Sequence, residues 1–221
     1  GLLTRRIPFP PCRPEGTLKW VLDPFVTQRD LTNATWYTGG SMLGGAWTQL
    51  RATGFGFVVV DQSGELIGYG FGAPPTRINK VAAAELWAIH VAMALSPFPS
   101  NIKTDCLSII TSARVGTATV TAHGKVLVRV WNSIAASADG DVASLVERGL
   151  WQWIPAHLTI DAVGYATAHG TSRLTMLDWR ANRLVDALAK VGAAIAAPTD
   201  DTTQLIKIAE ALLRHRLAQL A

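Results

Sequence analysis

"GFGFVVVDQSGELIGYGFG", residues 54–72, is two runs of aromatic and β-branched residues joined at Gln62, Ser63 and Gly64. Such runs favour strands, and a short Ser/Gly-containing joint between them predicts a hairpin. Upstream, "ATWYT" from Ala34 is a further short run of the same kind, so three consecutive antiparallel strands are the economical reading. Downstream, "VAAAELWAIHVAMAL" (81–95) has no internal Gly or Pro and is apolar on nearly every side. A helix of that kind must be buried. Pro97 and Pro99 end it, "NIKTD" (101–105) reads as a fourth strand, and 107–113 as a short helix stopping before Gly116. "KVLVRVWNSIAASA" (125–138) is a further helical stretch, and "GLWQWIP" (149–155) a fifth strand closed by Pro155. A long loop over 157–176 leads into a strong helix, "LDWRANRLVDALAKVGAAIAA" (177–197), with Asp178 near its start. The expected fold is α/β, a mixed five-stranded sheet with helices packed on it.

Outside that block, residues 1–33 carry Pro10, Pro11, Pro14 and Pro24 and no periodicity, and read as an extended, Pro-rich lead-in or linker. The domain is expected over 34–196. After Pro198, residues 197–221 read as a C-terminal amphipathic helix with Leu205, Ile208, Leu212 and Leu220 roughly along one stripe. The first residue is not Met, which suggests a piece of a longer polyprotein or assembly.

Of 221 residues 49% are hydrophobic and 16% charged, with 20 Lys and Arg against 16 Asp and Glu. A core of useful size is available, and the mild basic excess permits a polyanionic partner without demanding one. Two cysteines, Cys12 and Cys106, match neither a disulfide framework nor a zinc-ligand spacing, so an intracellular reducing compartment is the expectation. No run approaches the ~18 apolar residues of a membrane span, and no membrane partner is expected.

Three acids stand out. Glu85 is the only charged residue in the apolar 81–95 helix, Asp105 ends the fourth strand, and Asp186 lies mid-helix four residues after Asn182, on the same face. Each has an ordinary explanation alone: first-turn solvation, an N-cap, a solvated face. Together they converge on one end of a small sheet. His157 follows the fifth strand directly, in a loop that also holds His169; His90 reads as a packing histidine, His123 and His215 as surface.

"YTGGS" (37–41), the glycine-spaced hairpin, "AAAELWAIHVAM", "KTDCLSII", "WIPAH" and "LDWRANRLVDALAK", in that order, resemble the ribonuclease H type 1 family. The likeness is to the RNase H domains attached to retroelement reverse transcriptases, and it runs from about Trp36 to Lys190. What it implies is an endonuclease that cleaves the RNA strand of RNA–DNA hybrids by two-metal hydrolysis with Mg²⁺ or Mn²⁺, held by four carboxylates. Carried onto this chain, the resemblance makes Glu85, Asp105 and Asp186 metal ligands and His157 the loop histidine that helps move protons or release product. The first Asp of the family falls on Gly39, between the matching Thr38 and Gly40–Ser41. In the family that Asp bridges both ions, so its loss is expected to impair cleavage and leave at most weak binding of one ion. Asp61 and Asp30 are too far along the chain to replace it.

Substrate contacts implied by the resemblance are Ser41, Asn182 and the loop residues Thr171, Ser172 and Arg173, with Lys125 and Arg129, beside Trp131, as a basic gripping segment. Two readings follow: a nuclease by descent, or a catalytically inactive module that binds nucleic acid or serves a larger assembly. A third, an integrase-like or resolvase-like domain, is opposed by the helix order and by "WRANRLVDALAK".

Overall fold

The computed structural model describes residues 12–97, 100–166 and 173–220. Their core is a mixed sheet built from β1 (Lys19–Leu22), β2 (Thr35–Leu43), β3 (Ala52–Val60), β4 (Leu66–Gly72), β5 (Asn101–Thr104) and β6 (Trp151–Trp153), in the order β1-β4-β3-β2-β5-β6. The hairpin forms as expected: β3 and β4 are antiparallel, and Gly64, at φ 84°, closes the turn by donating its N–H to the Asp61 carbonyl. β2 is antiparallel to β3 and parallel to β5, which in turn is parallel to β6.

α1 (Val81–Leu95) connects β4 to β5 and packs on one face of the sheet. α2 (Leu107–Arg114), α3 (Thr117–Val120), α4 (Val128–Ser137) and α5 (Val142–Glu147) fill the connection from β5 to β6. The short helices α3 and α5 were not anticipated, and α4 begins three residues later than its apolar run, since Lys125 to Leu127 form a turn. α6 (Met176–Ala196) covers the opposite face, and α7 (Asp200–Leu220) follows it.

The two faces come from strand alternation. Trp36 of β2 and Phe55, Phe57 and Val59 of β3 join Leu86 and Ile89 of α1 in the main core. Tyr37, Val58 and Val60 point the other way and pack with Val185 and Leu188 of α6. On that side β3 presents Gly54 and Gly56, where a Cβ at Gly56 would lie 2.7 Å from Leu188 Cβ and one at Gly54 would collide with the Ala193 backbone. The glycines therefore let α6 lie directly against the strand.

The sheet has six strands rather than the five expected. β1 lies within the residues read as an extended lead-in, pairs antiparallel with β4, and is interrupted by an irregularity between Trp20 and Leu22. Four residues between Pro14 and Pro24 show no period in sequence. Its anchor is long-range: Trp20 meets Phe57 edge-on at 4.8 Å and Trp36 at 6.2 Å.

Candidate functional site

The parallel pairing of β2 with β5 sets Thr38 opposite Thr104. The next residue on each chain, Gly39 on β2 and Asp105 after β5, therefore sits at the same level of the sheet. α1 brings Glu85 to this end, where the backbone N–H of Gly40 favours its charged form. α6 crosses the other face with Asn182, Val185 and Asp186. Its start is fixed by a capping box in which Thr175 and Asp178 exchange hydrogen bonds, so the helix phase is set eight residues before Asp186.

Glu85, Asp105 and Asp186 are brought close enough to act on one another. Burial pushes Glu85 well above the usual carboxylate range, and the charges of Asp105 and Asp186 push the same way. Burial, then Asp186, also raises Asp105, against a hydrogen bond from Asn182 (3.4 Å) and the pull of His157. His157, at φ 53°, is 77% exposed and places Nδ1 3.5 Å from Asp186 Oδ2, an ion pair when the ring is protonated. A left-handed φ is uncommon outside glycine, though histidine adopts it more readily than most residues. The expected set, Glu85, Asp105, Asp186, His157 and Asn182, thus gathers at one place. Glu85 Oε2 and Thr38 Oγ1 are buried there with no hydrogen-bond partner among the described residues.

Gly39 has little free volume beside it. A Cβ at this position would lie 2.5 Å from Val185 Cγ1 and 3.9 Å from Glu85 Oε2. Real Cβ atoms do not approach a neighbour to within 3 Å, and Val185 is fully buried. A β-branched side chain has little rotamer freedom with which to yield. Room for an acid at position 39 is therefore taken by a methyl group of the residue next to Asp186.

Asp61, Asp30 and Asp178 are each engaged elsewhere. Asp61 closes the β3–β4 turn, accepting hydrogen bonds from Ser63 and from the Glu65 N–H, and Asp30 accepts one from the Thr32 N–H. Asp178 shares the α6 side of β2 but is engaged: Tyr37 donates to it at 2.8 Å and Lys103 pairs with it at 2.7 Å. Burial pushes Asp178 up, yet hydrogen bonds from Lys103, Thr175 and Tyr37 outweigh it and hold the carboxyl below its ordinary value. The same burial and the Asp178 charge push the Tyr37 phenol upward. Among the described residues no group of three His, Cys, Asp or Glu side chains is arranged to hold a metal ion. With Val185 Cγ1 against position 39, the acids present do not fit a two-ion centre that needs a side-chain ligand there.

The expected contact residues separate. Asn182 lies in the site, and Ser41, two residues beyond Gly39, shares its side of β2. Arg173 is exposed in an isolated bridge with Ala166, and Thr171, Ser172 and His169 lie outside the described residues. Trp131 is buried in the core and offers no ring for stacking, whereas Lys125 and Arg129 are exposed. Arg129 lines a cavity of about 360 Å³ with Arg77, Asn79 and Lys80, at the starts of α1 and α4. A second, of about 410 Å³, is bounded by His157, Trp179, Asn182, Arg183, Asp186 and Lys190. Arg77, Lys80, Arg183 and Lys190 were not singled out from sequence; the four-residue steps 182–186–190 along α6 were the available signal for Lys190. The Tyr37–Lys103–Asp178 cluster spans 141 residues and left no local signal.

No model of a protein family matches the chain, and no curated protein matches it. Solved structures do. The solution structure of the PFV RNase H domain is 18% identical, over 73% of this chain and 94% of that one, with a TM-score of 0.46. Prototype foamy virus protease-reverse transcriptase is 19% identical over 72% of this chain but only 20% of its own length, with a TM-score of 0.49. RNase H1 from the halophilic archaeon Halobacterium salinarum is 16% identical, over 74% and 98%, with a TM-score of 0.42. With α1 and α6 on opposite faces of its mixed six-stranded sheet, the chain has an α/β fold, and what it shares with these structures is a likeness at low identity.

Proposed function

We propose that this domain is a non-cleaving RNase H-like module that retains a grip on nucleic acid. The observation that carries the reading is Val185: its methyl group fills the volume an acid at position 39 requires. Loss of the acid is thus matched by packing around it, and burial first, then neighbouring carboxylates, raises both Glu85 and Asp105. His157 has no activated water or leaving group to serve in such a site.

Retained binding is supported by the exposed cations flanking the two cavities: Arg77, Lys80, Lys125 and Arg129 on one side, Arg183 and Lys190 on the other. An RNA–DNA hybrid is recognised through phosphates, groove shape and 2′-hydroxyls rather than base edges, which suits dispersed cations with Asn182 and Ser41 between them. The partner is a hybrid or another duplex, and the setting a retroelement polyprotein or assembly in a reducing compartment.

The test is a labelled RNA–DNA hybrid incubated with the protein and Mg²⁺ or Mn²⁺, beside Gly39→Asp and Gly39→Asp/Val185→Ala. No cleavage by the protein as it stands, with salt-sensitive binding, is the expected result. Robust cleavage by the unaltered chain would overturn the reading, and absence of binding at low salt would leave a structural role in its place.

A further inference from the structure

We propose that α7 is the seat of a symmetric, antiparallel pairing between two copies of this chain. α7 is 21 residues long, about 32 Å at 1.5 Å per residue, yet of its described side chains only Thr202 and Ile206 are buried. Leu205, Ile208, Leu212, Leu213 and Leu217 are each between 48% and 59% exposed. Ile206, Leu213 and Leu217 share the anchoring stripe, which runs on beyond the part that is covered; Leu205, Ile208 and Leu212 form a second stripe about a third of a turn round the helix. Helices of this length gain most of their stability from a packed apolar face rather than from propensity. Thr202 and Ile206 are covered in the first two turns of α7, and Arg214 lies over the Trp47 ring at 5.7 Å.

Charge selects the occupant. Asp200 and Asp201 stand at the start of α7 and Arg216 near its end, beyond Arg214, which pairs with Glu210 at 2.8 Å within the helix. Two such helices side by side in parallel set acid against acid and base against base. Antiparallel, they set each acidic end against a basic one, with opposed helix dipoles. A register that puts Leu205 opposite Leu212 of the second copy also puts Asp201 opposite Arg216. Self-complementarity of this kind is what a two-fold, isologous interface requires. Leu205, Ile208 and Leu212, each about half exposed, form the apolar centre of the paired face, with Asp201 and Arg216 on the same side at its two ends.

Sedimentation velocity on the full chain over about 1–100 µM tests this. The expected result is a weight-average mass rising from one chain toward two, with Leu212→Asp and Leu205→Asp each raising the dissociation constant at least tenfold while thermal unfolding of the sheet domain is unchanged. Asp201→Arg and Arg216→Asp should each weaken pairing several-fold, and the two together should restore it to within threefold. These surface changes keep the test decisive even where an Asp on the apolar stripe disturbs the helix. A mass that stays at one chain through 100 µM, pairing indifferent to Leu212→Asp, or failure of the charge swap to restore it would overturn the proposal.

Discussion

Gly39→Ala is the simplest perturbation of the site, because it adds one carbon and no charge. Position 39 is in extended β2, so alanine is conformationally acceptable and the unfolded chain loses some freedom, which favours folding by about 0.5–1 kcal/mol. Against this, the added Cβ meets Val185 Cγ1 at 2.5 Å in a fully buried position. Overpacking of this kind costs about 1–3 kcal/mol, so the net destabilisation should fall between about 0 and 2.5 kcal/mol. Val185→Ala alone removes two buried methyl groups and should cost about 2 kcal/mol. In Gly39→Ala/Val185→Ala the new methyl enters the space vacated, and the pair should be no less stable than Val185→Ala alone. The expected coupling is at least about 1 kcal/mol, read from urea unfolding with a common m-value. Additivity within about 0.5 kcal/mol would refute the steric argument, since residues that do not share volume show no more than that.

Other outcomes follow from the same geometry. Gly39→Asp should be less tolerated than Gly39→Ala, and should approach metal-dependent cleavage only when combined with Val185→Ala; a hybrid-cleavage assay reads this. Glu85 has a folded pKa above its unfolded value, so it costs stability at neutral pH, and that cost disappears as pH falls through the folded pKa toward about 4.5. Glu85→Gln should therefore raise the melting temperature at pH 7.5, with a smaller gain at pH 5; a gain independent of pH would contradict the assigned cause. Asp178 is the opposite case: its depressed pKa contributes stability above the ordinary carboxylate value and loses it as pH falls through the folded one. Asp178→Ala should cost about 3 kcal/mol, because Lys103 and the Tyr37 hydroxyl lose their partner and α6 loses its capping box. Lys80→Ala and Arg129→Ala should each weaken hybrid binding and reduce the salt slope by about 1, and a slope unchanged in both would place the nucleic-acid surface elsewhere.

Much of the fold could be read from residues 34–196 because its elements are written in local patterns. The hairpin has β-branched runs and a glycine turn, α1 an unbroken apolar stretch, and α6 a long helix-forming one with Asp178 near its start, each visible in local sequence. The acids were likewise conspicuous, since a lone Glu in an apolar helix or an Asp at a strand end stands out against its neighbours. β1 was not legible, because "KWVL" is held by Trp20 against Phe57 and Trp36, partners that chain proximity does not supply. The same applies to Tyr37, Lys103 and Asp178, which form one ionic cluster from three separate elements.

Position 39 shows where the boundary falls. A one-dimensional reading finds a glycine where a carboxylate is expected, and ligand chemistry alone then argues for lost metal binding. Whether that carboxylate could be put back is a question of volume, and volume belongs to residues 146 positions apart along the chain that strand register and helix phase bring into contact. Identity and order of the chemical groups are properties of the chain. Occupied space is a property of the folded state, and Val185, an unremarkable aliphatic residue in its helix, acquires its part in the site only once α6 lies against β2.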